Sequence, residues 1–107
     1  MRTAVATAVA EPVNKPDVEQ PRAWNVVLLD DDDHTYQYVM ELAQRYFGAS
    51  PERAFEIAKT VDTEGRVILT TTHRELAELK QEQVHSFGAD PLMSRSAGPM
   101  TAVLEPV

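Results

Sequence analysis

The sequence predicts an α+β fold, with three helices packed on a small, three-stranded, mostly antiparallel sheet in the order β-α-α-β-α-β. Three observations carry this. The runs WNVVLL, RVILTT and MTAVLE have the branched and aromatic composition of strands. Longer segments between them repeat apolar residues at helical spacing. Glycine, proline and serine punctuate the joins, and helices segregated to one face of an antiparallel sheet are the ordinary way to bury such elements.

Residues 1–23 hold Pro12, Pro16 and Pro21 among small residues, with no repeating apolar face. They are expected to be a disordered N-terminal extension, and residues 24–107 a single core domain. The first strand is Trp24 to Leu29, followed by a loop from Asp30 to His34. From Thr35 the period changes, and Val39, Leu42, Ala43, Tyr46 and Phe47 form one helical face closed by Gly48. Ser50 as N-cap, Pro51 at the first helical position and Glu52 in the first turn announce the second helix. Its buried face is Ala54, Ile57, Ala58 and Val61. It is expected to end near Asp62, because Thr63-Glu64-Gly65 reads as a turn.

Arg66 to Thr71 is the second strand. Thr72 and Glu75 have the spacing of a capping box for the third helix. That helix carries Leu76, Leu79, Gln83, Val84 and Phe87 along one side and ends before Gly88. Asp90 to Pro99 reads as an irregular loop, and Met100 to Glu105 as the last strand.

The chain has 107 residues, a net charge of −7 and no cysteine. A domain this size buries about 60–68% of its unfolded surface, enough for one modest core. The acidic balance argues against a nucleic-acid or anionic-membrane binder and suits a cationic partner. Without cysteine there is no disulfide or thiol chemistry, which fits a reducing compartment. No run reaches the ~20 apolar residues of a membrane span, and the start lacks the leucine-rich centre of a signal peptide, so a cytoplasmic location is expected.

The run Asp30-Asp31-Asp32-Asp33 calls for a chemical reason, because like charges repel. Calcium loops spread their oxygen ligands over about a dozen residues around a glycine, and adjacent aspartates on an extended loop do not converge. A phosphate-accepting receiver needs alternating βα units, whereas two helices follow the first strand here. For catalysis, the three histidines (34, 73 and 85) come with no Gly-rich phosphate loop, nucleophile elbow or metalloprotease signature. His73 and His85 read as exposed helix positions, and Ser94 and Ser96 as loop residues with no base. No catalytic residue, metal or cofactor is expected. What remains is recognition of a cation. Asp62, at the negative end of the second helix, would form an acidic mouth with the Asp30–Asp32 loop beside apolar Val39, Ala58 and Val61. Asp62 as the start of a turn explains that residue equally well.

The segments VVLLDDDDHTYQYV, PERAFEIAKTVDTEGRVI, ELAELK and PMTAVLE, in this order, resemble the ClpS adaptors of AAA+ Clp proteases. The match covers about residues 24–88 and 99–105. The resemblance implies a non-enzymatic adaptor. Such adaptors bind N-end rule substrates, those with N-terminal Leu, Phe, Tyr or Trp, and pass them to the ClpA or ClpC unfoldase. It gives Asp31 the role of holding the substrate's α-ammonium, with Asp30, Asp32 and Asp62 around it. The family has Asn where Asp30 stands, and usually His where Asp62 stands. The first side chain would enter a pocket of His34, Tyr36, Val39, Ala58, Val61 and Met100. Tyr36 replaces a frequent methionine, and Ala58 a larger residue. Glu75 and Lys80 match positions that contact the unfoldase N-terminal domain. Asp33 is expected to be solvated, and the protein a monomer. Two alternatives stand beside this reading: a ClpS-like regulator that docks on the unfoldase without binding N-degrons, and a carboxylate-lined metal-binding module.

Overall fold

The structure is a computed structural model that describes residues 22–107. The chain runs β1 (Ala23–Leu29), α1 (Tyr36–Phe47), α2 (Pro51–Glu64), β2 (Arg66–His73), α3 (Arg74–His85) and β3 (Thr101–Pro106). The predicted order β-α-α-β-α-β is the observed one. The expected N-terminal extension falls almost wholly outside the described residues.

The sheet order is β2-β1-β3, and both pairings are antiparallel. The central strand β1 places Leu29 opposite Arg66 on one side and Thr101 on the other. Its other end sets Trp24 against Thr72 and Pro106. A bulge in β2 falls between the partners of Val26 and Val27, with Val26 opposite Thr70 and Val27 opposite Ile68. Central position explains the composition of β1, where Val26, Val27 and Leu28 are all fully buried.

The helices close over the sheet. Val39, Leu42 and Ala43 of α1 meet Ala54, Ile57, Ala58 and Val61 of α2 in one core with Val26, Leu28, Val67, Leu69, Val84 and Met100. Full burial of one Leu, Ile or Met side chain stabilises by roughly 1.5–3 kcal/mol. Tyr38 is also buried. It lies one position before the predicted stripe, and its hydroxyl donates to the Gly88 carbonyl at 2.5 Å.

Several boundaries differ from the sequence reading. Helix α2 runs to Glu64, two residues beyond the expected end. Its stop is Gly65 in the left-handed conformation (φ 85°), whose N–H caps Val61. Strand β2 continues through His73, which occupies the N-cap position of α3 with no side-chain cap bond. The Thr72–Glu75 capping box therefore does not form. Pairing of Thr72 and His73 with β1 takes the backbone that the box needs. The inner face of α3 is Ala77 and Val84, while Leu79 faces solvent and Phe87 lies past the helix end. The last strand begins at Thr101, and Met100 before it is buried.

Candidate functional site

Three segments meet beyond the end of β1: the acidic loop, the C-terminal turn of α2, and the 88–99 segment. The chain leaves the sheet at Leu29, and the Asp30 N–H donates to the Gly65 carbonyl at 3.0 Å. This bond holds the acidic loop beside the end of α2. Asp30 is raised above the usual aspartate range, mainly by partial burial and next by the facing charge of Asp62. Asp62 thus lies close enough to Asp30 for its charge to be felt.

Asp31 is turned by its neighbours. One carboxylate oxygen, Oδ1, accepts from the Asp33 N–H at 2.9 Å and lies 2.7 Å from Nδ1 of His34. A carboxylate only accepts, so the imidazole donates here. The other oxygen remains for a ligand. Asp32 is exposed. Asp33, expected to be solvated, is half-exposed and pairs there with Arg95 Nε at 2.9 Å. Arg95 also donates to the Asp32 carbonyl. That cation partly balances the acidic run, although exposed pairs of this kind are worth only ~0–1 kcal/mol.

The residues assigned to the apolar pocket divide into two groups. Val39, Ala58, Val61 and Met100 are all at least 96% buried and belong to the hydrophobic core. Tyr36 is exposed at the start of α1. Its ring meets Phe55 edge-on at 5.9 Å, and its hydroxyl donates to Asp62 at 3.0 Å. Phe55, Ala58 and Asp62 lie at helical spacing on one stripe of α2, so Tyr36 spans that stripe. The same bond raises the Tyr36 phenol above its ordinary range, since Asp62 favours the protonated donor. The His34 ring is buried as well, between the acidic loop and the 88–99 segment, with the side chain 4% exposed and hydrogen bonds from both ring nitrogens.

Among the described residues, no three His, Asp or Glu side chains come together as metal ligands would. None of the described helices is long and apolar enough to cross a membrane.

A family model for the ATP-dependent Clp protease adaptor protein ClpS matches residues 19–94. The chain belongs to the ClpS family. The ClpS adapter of Roseobacter denitrificans is 34% identical over 85 residues, which is 79% of this chain and 71% of that protein. The ClpS adapter of Nautilia profundicola is 33% identical over 95 residues, 88% of this chain and 92% of its own. The solved structure of Agrobacterium tumefaciens ClpS2 bound to L-phenylalaninamide superposes with a TM-score of 0.72. It covers 82% of this chain and all of that one at 22% identity, and so shares the fold.

Within this ClpS-family chain, the two residues assigned to unfoldase contact sit differently. Glu75 is exposed in the first turn of α3, where an acid complements the helix dipole. Lys80 is half-buried. Its ammonium donates to the Tyr46 carbonyl at 2.5 Å and lies 5.4 Å from the Phe47 ring, capping the end of α1. Exposed Leu79, four residues after Glu75, adds apolar surface to that face.

Sequence reasoning passed over the segment that supports the site. Asp90 is only 2% exposed. Its Oδ2 accepts from both the N–H and the hydroxyl of Thr35, at 2.7 and 2.8 Å, and its Oδ1 from the Leu92 N–H at 2.8 Å. Burial alone would raise its pKa. The hydrogen bonds outweigh burial and hold it below the usual range. Thr35 caps α1 through Tyr38 N–H. Asp90 therefore ties the 88–99 segment to the start of α1. One signal was readable: Asp90-Pro91-Leu92 has the composition of an Asx turn, where the side chain accepts from the N–H two residues on.

Proposed function

We propose that this chain is a protease adaptor that recognises a free N-terminal amine followed by a bulky hydrophobic side chain. It then delivers the bearer to a Clp unfoldase, ClpA or ClpC, acting with ClpP. The observation that carries this reading is the facing of Asp30 and Asp62 where the acidic loop leaves β1 beside the end of α2. Two acids that raise one of their own pKa values call for a cation. An ammonium, which only donates, complements carboxylates, which only accept.

The free oxygen of Asp31 receives the ammonium, and Asp30 and Asp62 flank it. Tyr36 releases Asp62 and swings away, because its bond crosses that stripe of α2. The first side chain then lies on Val39, Ala58, Val61 and Met100. Burying a leucine or phenylalanine side chain there adds roughly 1.5–3 kcal/mol. The binding of L-phenylalaninamide by the Agrobacterium ClpS2 supports this reading, since that ligand has both a free amine and a bulky side chain. The exposed Glu75–Leu79 face of α3 is where the unfoldase N-terminal domain docks, with Lys80 holding that face against α1.

The test is fluorescence anisotropy with labelled peptides beginning with Leu, Phe, Tyr, Trp, Ile or Ala, each with a free or acetylated amine. Bulky first residues bind, and acetylation abolishes binding. One observation favours the second reading, a docking regulator without degron binding: the Tyr36 hydroxyl already occupies Asp62. Absence of peptide discrimination at low salt, together with binding to the isolated unfoldase N-terminal domain, would select it.

A further inference from the structure

We infer that His34 is a positioning residue that aims the Asp31 carboxylate, rather than a wall of the side-chain pocket. This rests on the reading that Asp31 binds the amine. The imidazole is almost fully buried, with its side chain 4% exposed. One edge faces Asp31, with Nδ1 at 2.7 Å from Oδ1. The other edge faces the 88–99 segment, with Nε2 at 2.8 Å from the Gly98 carbonyl and 3.3 Å from the Ser96 hydroxyl. The flat side packs on Tyr38, whose ring centre is 4.5 Å away.

A ring held on three sides has one orientation. The carboxylate it touches is otherwise on an exposed loop, with Asp31 side chain 36% exposed. A lone surface carboxylate samples several rotamers, and ordering it on binding costs affinity. Here Nδ1–H and the Asp33 N–H both fix Oδ1, and Oδ2 is left as the free acceptor. The support reaches into the core by a second route. The Asp90 N–H donates to Ser96 Oγ at 2.9 Å, and Asp90 is bonded to Thr35, the residue after His34. The 88–99 segment is thus the mount of the amine site, and His34 is the strut between mount and carboxylate.

Two substitutions separate the two ends of the strut. The amide nitrogen of asparagine reaches where Nδ1 lies, and that of glutamine where Nε2 lies. His34→Asn keeps the donor to Asp31 and loses the bond to Gly98. His34→Gln does the reverse. The readout is the affinity ratio of a free-amine Leu peptide to its acetylated form, with thermal melts confirming that both variants fold. His34→Gln should lower the ratio by about tenfold, the scale on which an orienting partner acts on a ligating group, and His34→Asn should stay nearer the wild type. Equal ratios in the two variants, or a wild-type ratio in His34→Gln, overturn the strut while leaving the amine reading intact. A wild-type protein that does not discriminate acetylation overturns the amine reading, and the strut with it. If the variants do not fold, nitrogen NMR of the wild-type protein decides. A free-amine peptide should shift the His34 Nδ1 resonance and its acetylated form should not; equal shifts from both refute the strut.

Discussion

Replacing Asp90 with alanine should destabilise the domain by about 2–4 kcal/mol, because buried donors lose a charged acceptor. The carboxylate accepts from Thr35 N–H, Thr35 hydroxyl and Leu92 N–H. Hydrogen bonds to charged groups contribute ~1.5–3 kcal/mol each, less the cost of burying the carboxylate. Alanine leaves two backbone N–H groups without their acceptor and frees the N-cap of α1. At ~4–8 °C per kcal/mol for a domain of this size, a loss near 3 kcal/mol lowers Tm by roughly 12–24 °C. Asp90→Asn should fall between. Its one acceptor oxygen can serve Thr35, but its NH2 then meets the Leu92 N–H, donor against donor.

The effect also has a pH signature. Asp90 has a depressed pKa in the folded state, so its contribution is present above the unfolded value of ~3.9 and is lost as pH falls through the folded value. The stability gap between wild type and Asp90→Ala should hold steady from neutral pH to about pH 5 and shrink below about 4. Urea denaturation at several pH values measures this. A gap under ~1 kcal/mol at pH 7, or one unchanged in acid, would refute the placement of Asp90 as a charged anchor.

The remaining predictions concern the mouth. Asp30 has a raised pKa, so its protonation begins above the normal aspartate range. Its contribution to the stability of the peptide-free protein is present below the unfolded pKa and lost as pH rises through the folded one. Binding runs the other way: free-amine affinity should fall as acidification protonates Asp30, and Asp62→Asn should move that fall to lower pH, measured by anisotropy across a pH series. Tyr36→Phe removes the bond that occupies Asp62, so free-amine affinity should rise by about 2–10-fold, the equivalent of one modest hydrogen bond. A decrease would show that the hydroxyl contacts the peptide. Asp62→Asn should also bring the Tyr36 phenol down towards its ordinary pKa, read by ultraviolet titration.

The parts of the fold legible in the sequence were those written in local chemistry. Ser50-Pro51-Glu52, Gly48 and the apolar run of β1 each name their own structure, and each stands where they indicate. The errors arise where distant contacts decide. Helix α3 is expected to carry a stripe through Leu79, but several of its polar side chains, half-buried or exposed, serve backbone groups elsewhere. Gln81 donates to the Ala102 carbonyl, His85 accepts the Ala102 N–H, and Lys80 donates to Tyr46. A hydrophobicity pattern assigns such residues to solvent, because it cannot see that their partner is a strand edge. The same blindness hid Asp90. Its partners Thr35 and Leu92 are 55 and two residues away, and only the near one leaves a trace in sequence.

The acidic run at the end of β1 divides into four different jobs, and this division is what makes it tolerable. Asp33 is pinned by Arg95, and Asp31 by His34 and a backbone N–H. Asp32 faces water, while its carbonyl takes the second hand of Arg95. Asp30 faces Asp62, and its pKa is raised first by partial burial, then by that charge, with smaller contributions from Asp31 and Asp32. Asp62 itself keeps a neutral partner, the Tyr36 hydroxyl, which softens but does not cancel its charge. The strongest repulsion on Asp30 therefore comes from Asp62, between the end of the first strand and the last turn of α2. A ligand that brings a positive charge to that place relieves it, and a neutral ligand of the same shape does not. On the proposed function, discrimination of a free from an acetylated amine would follow from where the chain leaves these charges.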